Sequence, residues 1–164
     1  MVIMKLILLV GAAIALALPC PALERNDGKC VNGSPTNTGG YTIQYQQVSP
    51  ARANSNDHFI LDPKWQEAHA TLGSSMHFSY SGSAIPYGEF KCQYGCNGLQ
   101  GCASYVGYEN RDADGKDGGF DCFFFDALID QYVIVSTQSN KQSMTHAYNK
   151  LCNSSGQGEY YGSL

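Results

Sequence analysis

The chain has 164 residues, with 10 basic and 14 acidic side chains and a formal net charge of −4. Charged residues make up only 15% of it, and that thin, mildly acidic balance excludes attachment to nucleic acid or to an anionic membrane by electrostatic attraction. The length suffices for one domain with its own core and is short for two.

The first 22 residues read as a secretory signal peptide. Lys5 is their only charge, and Leu6 to Leu18 is an unbroken apolar run. That run is short of the about 20 apolar residues a membrane span needs, and Pro19 and Pro21 follow it. Cleavage fits after Ala17 or after Ala22. The second is preferred because it removes Cys20 and leaves an even set of cysteines, as an oxidising compartment favours. No later segment is apolar enough to span a bilayer, and Gly162-Ser163-Leu164 carries no hydrophobic tail for a lipid anchor. The expectation is a soluble, extracellular protein without a membrane partner, residues 23–164 forming a single domain with an irregular lead-in.

Tyr41 to Val48 alternates and is β-prone, so a strand is predicted with Tyr41, Ile43 and Tyr45 on one face. His58 to Leu61 reads as a short strand. Asp62-Pro63 is a helix start, Asp at the N-cap and Pro at the first helical position, predicting a helix from Pro63 to Leu72. Met76 to Tyr80 reads as a strand and Ser81 to Gly88 as a loop. A second helix is placed over Glu89 to Leu99, weakened by Gly95 and Gly98. Strands follow at Cys102 to Glu109, Phe120 to Asp126 and Tyr132 to Ser136, the first two joined by a charged, Gly-rich loop from Asn110 to Gly119. The segment from Thr145 to Lys150 leads into Cys152.

Of the seven cysteines, six lie beyond Ala22. Cys92 and Cys96 are one helical turn apart, on one side of the second helix, while Cys102 and Cys122 fall in strands. A helix stapled twice to a sheet is the plan this spacing implies. Spacing alone leaves every connectivity open. A zinc site is disfavoured, because C-x3-C-x5-C lacks the usual short paired spacing and a secreted chain favours disulfides.

Three segments together resemble the PAN/apple family: Cys92-Gln93-Tyr94-Gly95-Cys96, then Cys102-Ala103-Ser104-Tyr105, then Cys122-Phe123-Phe124, with Cys30 and Cys152 as an outer pair. With Glu109-Asn110-Arg111-Asp112 after the strand, the chain is similar to the fungal secreted branch of that family. These motifs cover about a quarter of the chain, and residues 41–88 match the family only loosely. The resemblance implies the pairs Cys30–Cys152, Cys92–Cys122 and Cys96–Cys102. It also implies an α+β fold in which an antiparallel β-sheet cradles one disulfide-stapled α-helix. The function it implies is non-catalytic recognition of an extracellular carbohydrate or protein, which is an analogy of fold and not chemistry read from a site.

Chemical motifs are sparse. His58, His69, His77 and His146 form no metal-ligand spacing, no serine sits in a nucleophile elbow, and all six cysteines are assigned to bridges. A pair drawn from Asp62, Glu67, Glu89, Glu109 and Asp126 would suit glycoside hydrolysis if the fold brought it together, which keeps a small secreted hydrolase as the competing class. An effector-like structural protein without a small ligand is the third. Asp112 to Asp121 holds four aspartates among glycines, but Lys116 breaks the register of a calcium loop. No metal and no cofactor are expected. Asn32-Gly33-Ser34 and Asn153-Ser154-Ser155 are N-glycosylation sequons, each beside an outer cysteine. The residues expected to contact a ligand are Tyr105, Tyr108, Asn110, Asp112 and Asp114, because rings stack on sugar faces and amides or carboxylates bond hydroxyls.

Overall fold

The computed structural model describes residues 29–52, 58–79, 82–111, 117–139 and 141–152. The predicted signal peptide therefore lies outside the described residues, as do Asp112, Asp114 and Asn153. The elements run β1 (Thr36–Thr38), β2 (Tyr41–Ile43), β3 (Tyr45–Val48), β4 (His58–Leu61), α1 (Pro63–His69), β5 (Ala70–Phe78), α2 (Ile85–Gly98), β6 (Ser104–Arg111), β7 (Asp117–Phe125), β8 (Ile134–Thr137) and β9 (Gln142–Lys150). The fold is α+β. A five-stranded antiparallel sheet in the order β3-β9-β6-β7-β5 is accompanied by a β1-β2 hairpin and a β4-β8 ribbon.

Among the described residues two α-helices are present, near the two positions expected, and α2 is the one that carries the cysteine bridges; several boundaries move. The single strand expected over Tyr41 to Val48 breaks at Gln44, so that β2 pairs with β1 while β3 joins the main sheet. The buried Gln93 side chain causes this division to hold, because its Oε1 accepts the Gln44 backbone N–H at 3.0 Å. α1 starts as expected: Asp62 Oδ1 accepts from the N–H groups of Lys64 and Trp65, both at 3.0 Å. It ends at His69, short of Leu72, because Ala70 turns extended and enters β5 against β7. α2 begins one turn before the expected start, with Pro86 in its first turn, where a missing N–H costs nothing. The ends of the expected Asn110–Gly119 loop are strand, since Asn110 pairs with Gly119 and Arg111 with Asp117 in the β6-β7 ladder; residues 112–116 lie outside the described residues.

α2 buries Gly88, Glu89, Cys92, Gln93 and Cys96, positions that recur with helical spacing on one face. That stripe is polar and sulfur-bearing where a helix of this length usually carries aliphatic residues. It packs on Tyr45, Tyr105, Tyr148, Phe120 and Phe124 of the sheet. Gly95 allows the close approach: a β-carbon there would come within 2.5 Å of Phe124 Cζ and 2.6 Å of Met76 Sδ. The glycine that weakens the helix in isolation is thus the one that seats it.

The opposite face of the sheet is also covered. Val106, Tyr108, Phe125 and Ala147 point into a second core with Leu61 of β4, Ile134 of β8 and Ile129 of the intervening segment. Trp65 of α1 packs its ring 5.1 Å from that of Phe125. Asn149 ties this layer down, accepting from Ile129 N–H at 2.8 Å and donating to Ile129 C=O at 2.9 Å.

Disulfides join Cys30 to Cys152, Cys92 to Cys122 and Cys96 to Cys102. The first sits beside a parallel bridge between Val31 and Leu151 that holds the lead-in to the end of β9. Its sequence separation is 122, against 30 and 6 for the others. In chain-entropy terms the loops rank at about 5, about 4 and about 2 kcal/mol. Cys30→Ser with Cys152→Ser is therefore expected to lower the unfolding free energy by about 5 kcal/mol, read as a fall in the urea midpoint at unchanged far-UV circular dichroism. A loss below about 1 kcal/mol would mean that the termini are held by contacts other than the bridge.

Candidate functional site

Two polar assemblies stand out, one on each face of the sheet. The first lies under α2. Glu89 is fully buried, and its carboxylate accepts from Thr145 Oγ1 at 2.6 Å, His146 Nδ1 at 2.6 Å and Tyr148 Oη at 2.9 Å. Its backbone carbonyl accepts from Tyr105 Oη at 3.1 Å. Alternation along a strand would send Thr145 and His146 to opposite faces. A bulge in β9 between the pairs Gly107↔His146 and Tyr108↔Met144 turns both toward Glu89. Gly107 leaves room for the turn, since a β-carbon there would come within 2.8 Å of Thr145 Oγ1. A buried carboxylate with three donors is satisfied and costly to disturb. This assembly clamps α2 to β9, with His146 at its half-exposed edge.

The second assembly lies on the opposite face. The β4-β8 ribbon and α1 cover the sheet incompletely and leave a groove of about 440 Å³. Its floor is Tyr108 and Phe123, whose rings meet edge-on at 5.5 Å. One wall is Ile60, Leu61 and Pro63, and the rim carries Gln66, Glu67 and Gln142. Tyr108 Oη is fixed by the backbone N–H of Leu61 at 2.9 Å. The half-buried Phe123 offers the aromatic surface open to a ligand.

A chain of side-chain hydrogen bonds crosses four strands to the rim of this groove. His77 Nδ1 lies 2.7 Å from Asp121 Oδ1, Asn110 Nδ2 donates to Asp121 Oδ2 at 2.5 Å, and Gln142 Nε2 donates to Asn110 Oδ1 at 3.1 Å. The carboxylate orders the series. An acceptor at Asp121 turns the Asn110 amino group toward it, which turns the Asn110 carbonyl toward Gln142, whose amino group donates to it.

The sequence-predicted contact residues are placed as follows. Tyr105 and Tyr108, expected to contact a ligand, are buried at 0% and 1% exposure, which leaves neither ring open on the surface. Tyr105 is roofed by α2, and Tyr108 is covered by β4, reaching the groove only at its floor. Asn110 is half-buried in the hydrogen-bonded chain. Asn32 is exposed. The five acids weighed as a hydrolytic pair have separate surroundings: Asp62 caps α1, Asp126 meets His69 at 3.1 Å, Glu109 meets Arg111 at 3.9 Å, Glu89 is enclosed and Glu67 stands on the groove rim. No group of three or more His, Cys, Asp or Glu among the described residues is arranged to hold a metal ion. Phe123, Gln66 and Gln142 were not singled out from the sequence. The hydrophobic run Phe123-Phe124-Phe125 marks a core strand, and nothing local tells which ring faces an opening.

Burial governs the tyrosines. It raises Tyr45, Tyr105 and Tyr148 well above the usual phenol range, with the Glu89 charge adding to the last two. It pushes Tyr108 up to about 12, the Leu61 N–H offsetting part of the effect. A raised folded value means the native state holds its proton longer than the unfolded chain. The associated stability is complete below pH about 10 and falls as pH rises toward about 12 and beyond. Phenolate absorbance is thus expected to show four of the eleven tyrosines silent until the protein unfolds at alkaline pH. All eleven titrating near pH 10 in the folded protein would contradict this burial. Glu89→Gln places an amino group among donors and is expected to cost roughly 2–3 kcal/mol by chemical denaturation.

In comparisons with known proteins, no family model, no curated protein and no solved structure matches this chain.

Proposed function

We propose that the chain is a secreted, non-catalytic recognition module of PAN/apple type, and that it binds an extracellular carbohydrate in the groove between α1 and the sheet. The observation that carries this reading is the groove's composition: a half-buried Phe123 ring on the floor, with the amides Gln66 and Gln142 and the carboxylate Glu67 on the rim. An aromatic face stacks on the C–H side of a sugar ring while amide and carboxylate groups bond its hydroxyls. The hydrogen-bonded chain from His77 to Gln142 supports it further, because a rim group held in place loses less entropy on binding. Three disulfides in a small domain accord with an oxidising, extracellular setting. No helix among the described residues is long and apolar enough to cross a membrane. The three cysteine pairs are the ones the PAN/apple resemblance implies.

A protein ligand is the second reading. On the outer side of α2, Tyr87 and Tyr94 are 41% and 36% exposed. Phe90 lies between them, with its ring 5.1 Å from Tyr41 and 5.3 Å from Tyr94. Aromatic clusters of this kind are enriched at protein interfaces.

A glycan array followed by calorimetric titration tests the first reading. Phe123→Ala is expected to weaken binding about tenfold, near the upper range for one aromatic contact, and Gln142→Ala by a smaller factor. Binding lost through Tyr87→Ser and Tyr94→Ser, but untouched by Phe123→Ala, would move the site to α2. Release of new reducing ends from the bound oligosaccharide would overturn the non-catalytic reading.

A further inference from the structure

The charge of the groove narrows the class of sugar, and this inference rests on the groove being the carbohydrate site. Among the described residues its lining holds one carboxylate, Glu67, and no Lys, Arg or His. No described cation lies within ion-pair distance of Glu67, which is exposed on α1 at the rim. Gln142 Nε2 donates one N–H to Asn110 Oδ1, so its amide brings a carbonyl acceptor and a second N–H to the rim. Of the rim groups only Glu67 is limited to accepting, and it asks the ligand for donors, whereas the amides of Gln66 and Gln142 both donate and accept. A carboxylated or sulfated sugar would bring a negative charge against Glu67 with no cation in the lining to receive it. A protonated amino sugar brings three N–H donors and a positive charge to the same place.

We propose that the groove selects amine-bearing sugars, that is, glucosamine-type residues with a free ammonium group, over their neutral counterparts and against acidic ones, with Glu67 as the specificity-determining residue. Phe123 stacks on the ring in every case. Glu67 sets the order among ligands by charge.

The test uses the full mature protein and four tetrasaccharides of matched length: glucosamine, N-acetylglucosamine, glucose and galacturonic acid. At low ionic strength the glucosamine tetramer is expected to bind about two- to fivefold more tightly than the two neutral ones, the range for one exposed ion pair. The galacturonate tetramer is expected to bind weakest. Salt should shrink these differences. Glu67→Gln should erase the preference for glucosamine and leave the neutral sugars unchanged, whereas Phe123→Ala should weaken all four. Glu67 is exposed on a short helix, so the variant is expected to fold, checked by an unchanged urea midpoint. Galacturonate binding as tightly as glucosamine, or an order of ligands unaltered by Glu67→Gln, would overturn the proposal while leaving the groove as a carbohydrate site. Failure of all four tetramers to bind would overturn both.

Discussion

The attachment of α2 to the sheet is the constraint on which the other features rest. Its inward stripe offers Glu89, Cys92, Gln93 and Cys96 with one glycine, so aliphatic burial contributes little to its placement. Two disulfides and one enclosed carboxylate do the holding instead. Cys92 ties the middle of the helix to β7, Cys96 ties its last turn to Cys102 just before β6, and Glu89 grips β9 through Thr145, His146 and Tyr148. Three points on one helix fix both its position and its rotation. The tyrosine layer beneath, in which Tyr105 stacks on Tyr148 at 4.9 Å, is buried because the helix lies over it.

Polar groups thus act as structure on one face of the sheet and as a presented surface on the other. Under α2 the donors around Glu89 are turned inward and consumed. On the far face the chain His77–Asp121–Asn110–Gln142 is also hydrogen-bonded throughout, but it ends at an opening. The difference comes from coverage. α2 sits flat on its face, whereas α1 has seven residues and the β4-β8 ribbon is two short strands, too little to close the second face. What stays open on that face is therefore the margin of the second core, where Phe123 is half-buried, and not the tyrosine-lined centre of the sheet.

The bulge in β9 links the two faces. By inserting Thr145 it lets β9 deliver two successive side chains to Glu89, then restores alternation so that Met144 packs against the second core and Gln142 reaches the groove rim. Without that extra residue, a strand supplying the clamp would present the wrong side chains beyond it.

Much of the secondary structure was legible locally. Strand alternation marked β6, a continuous hydrophobic run marked β7, Asp62-Pro63 marked the start of α1, and the helical spacing of Cys92 and Cys96 placed α2 within a turn. These signals depend on near neighbours: the period of two along a strand, a side chain capping the next two N–H groups, one helical turn between thiols. The break at Gln44 was not legible, because it is stabilised by Gln93, 49 residues away. Nor was the bulge at Thr145, whose cause is a carboxylate 56 residues earlier. The tyrosines show the division most plainly. Their number and their place in strands were in the sequence, but an amphipathic ring fits a core or a surface equally well. Only the arrival of α2 over Tyr105 and of β4 over Tyr108 decided which it would be. Local periodicity assigns a residue to a face, and distant chain segments determine whether that face sees water.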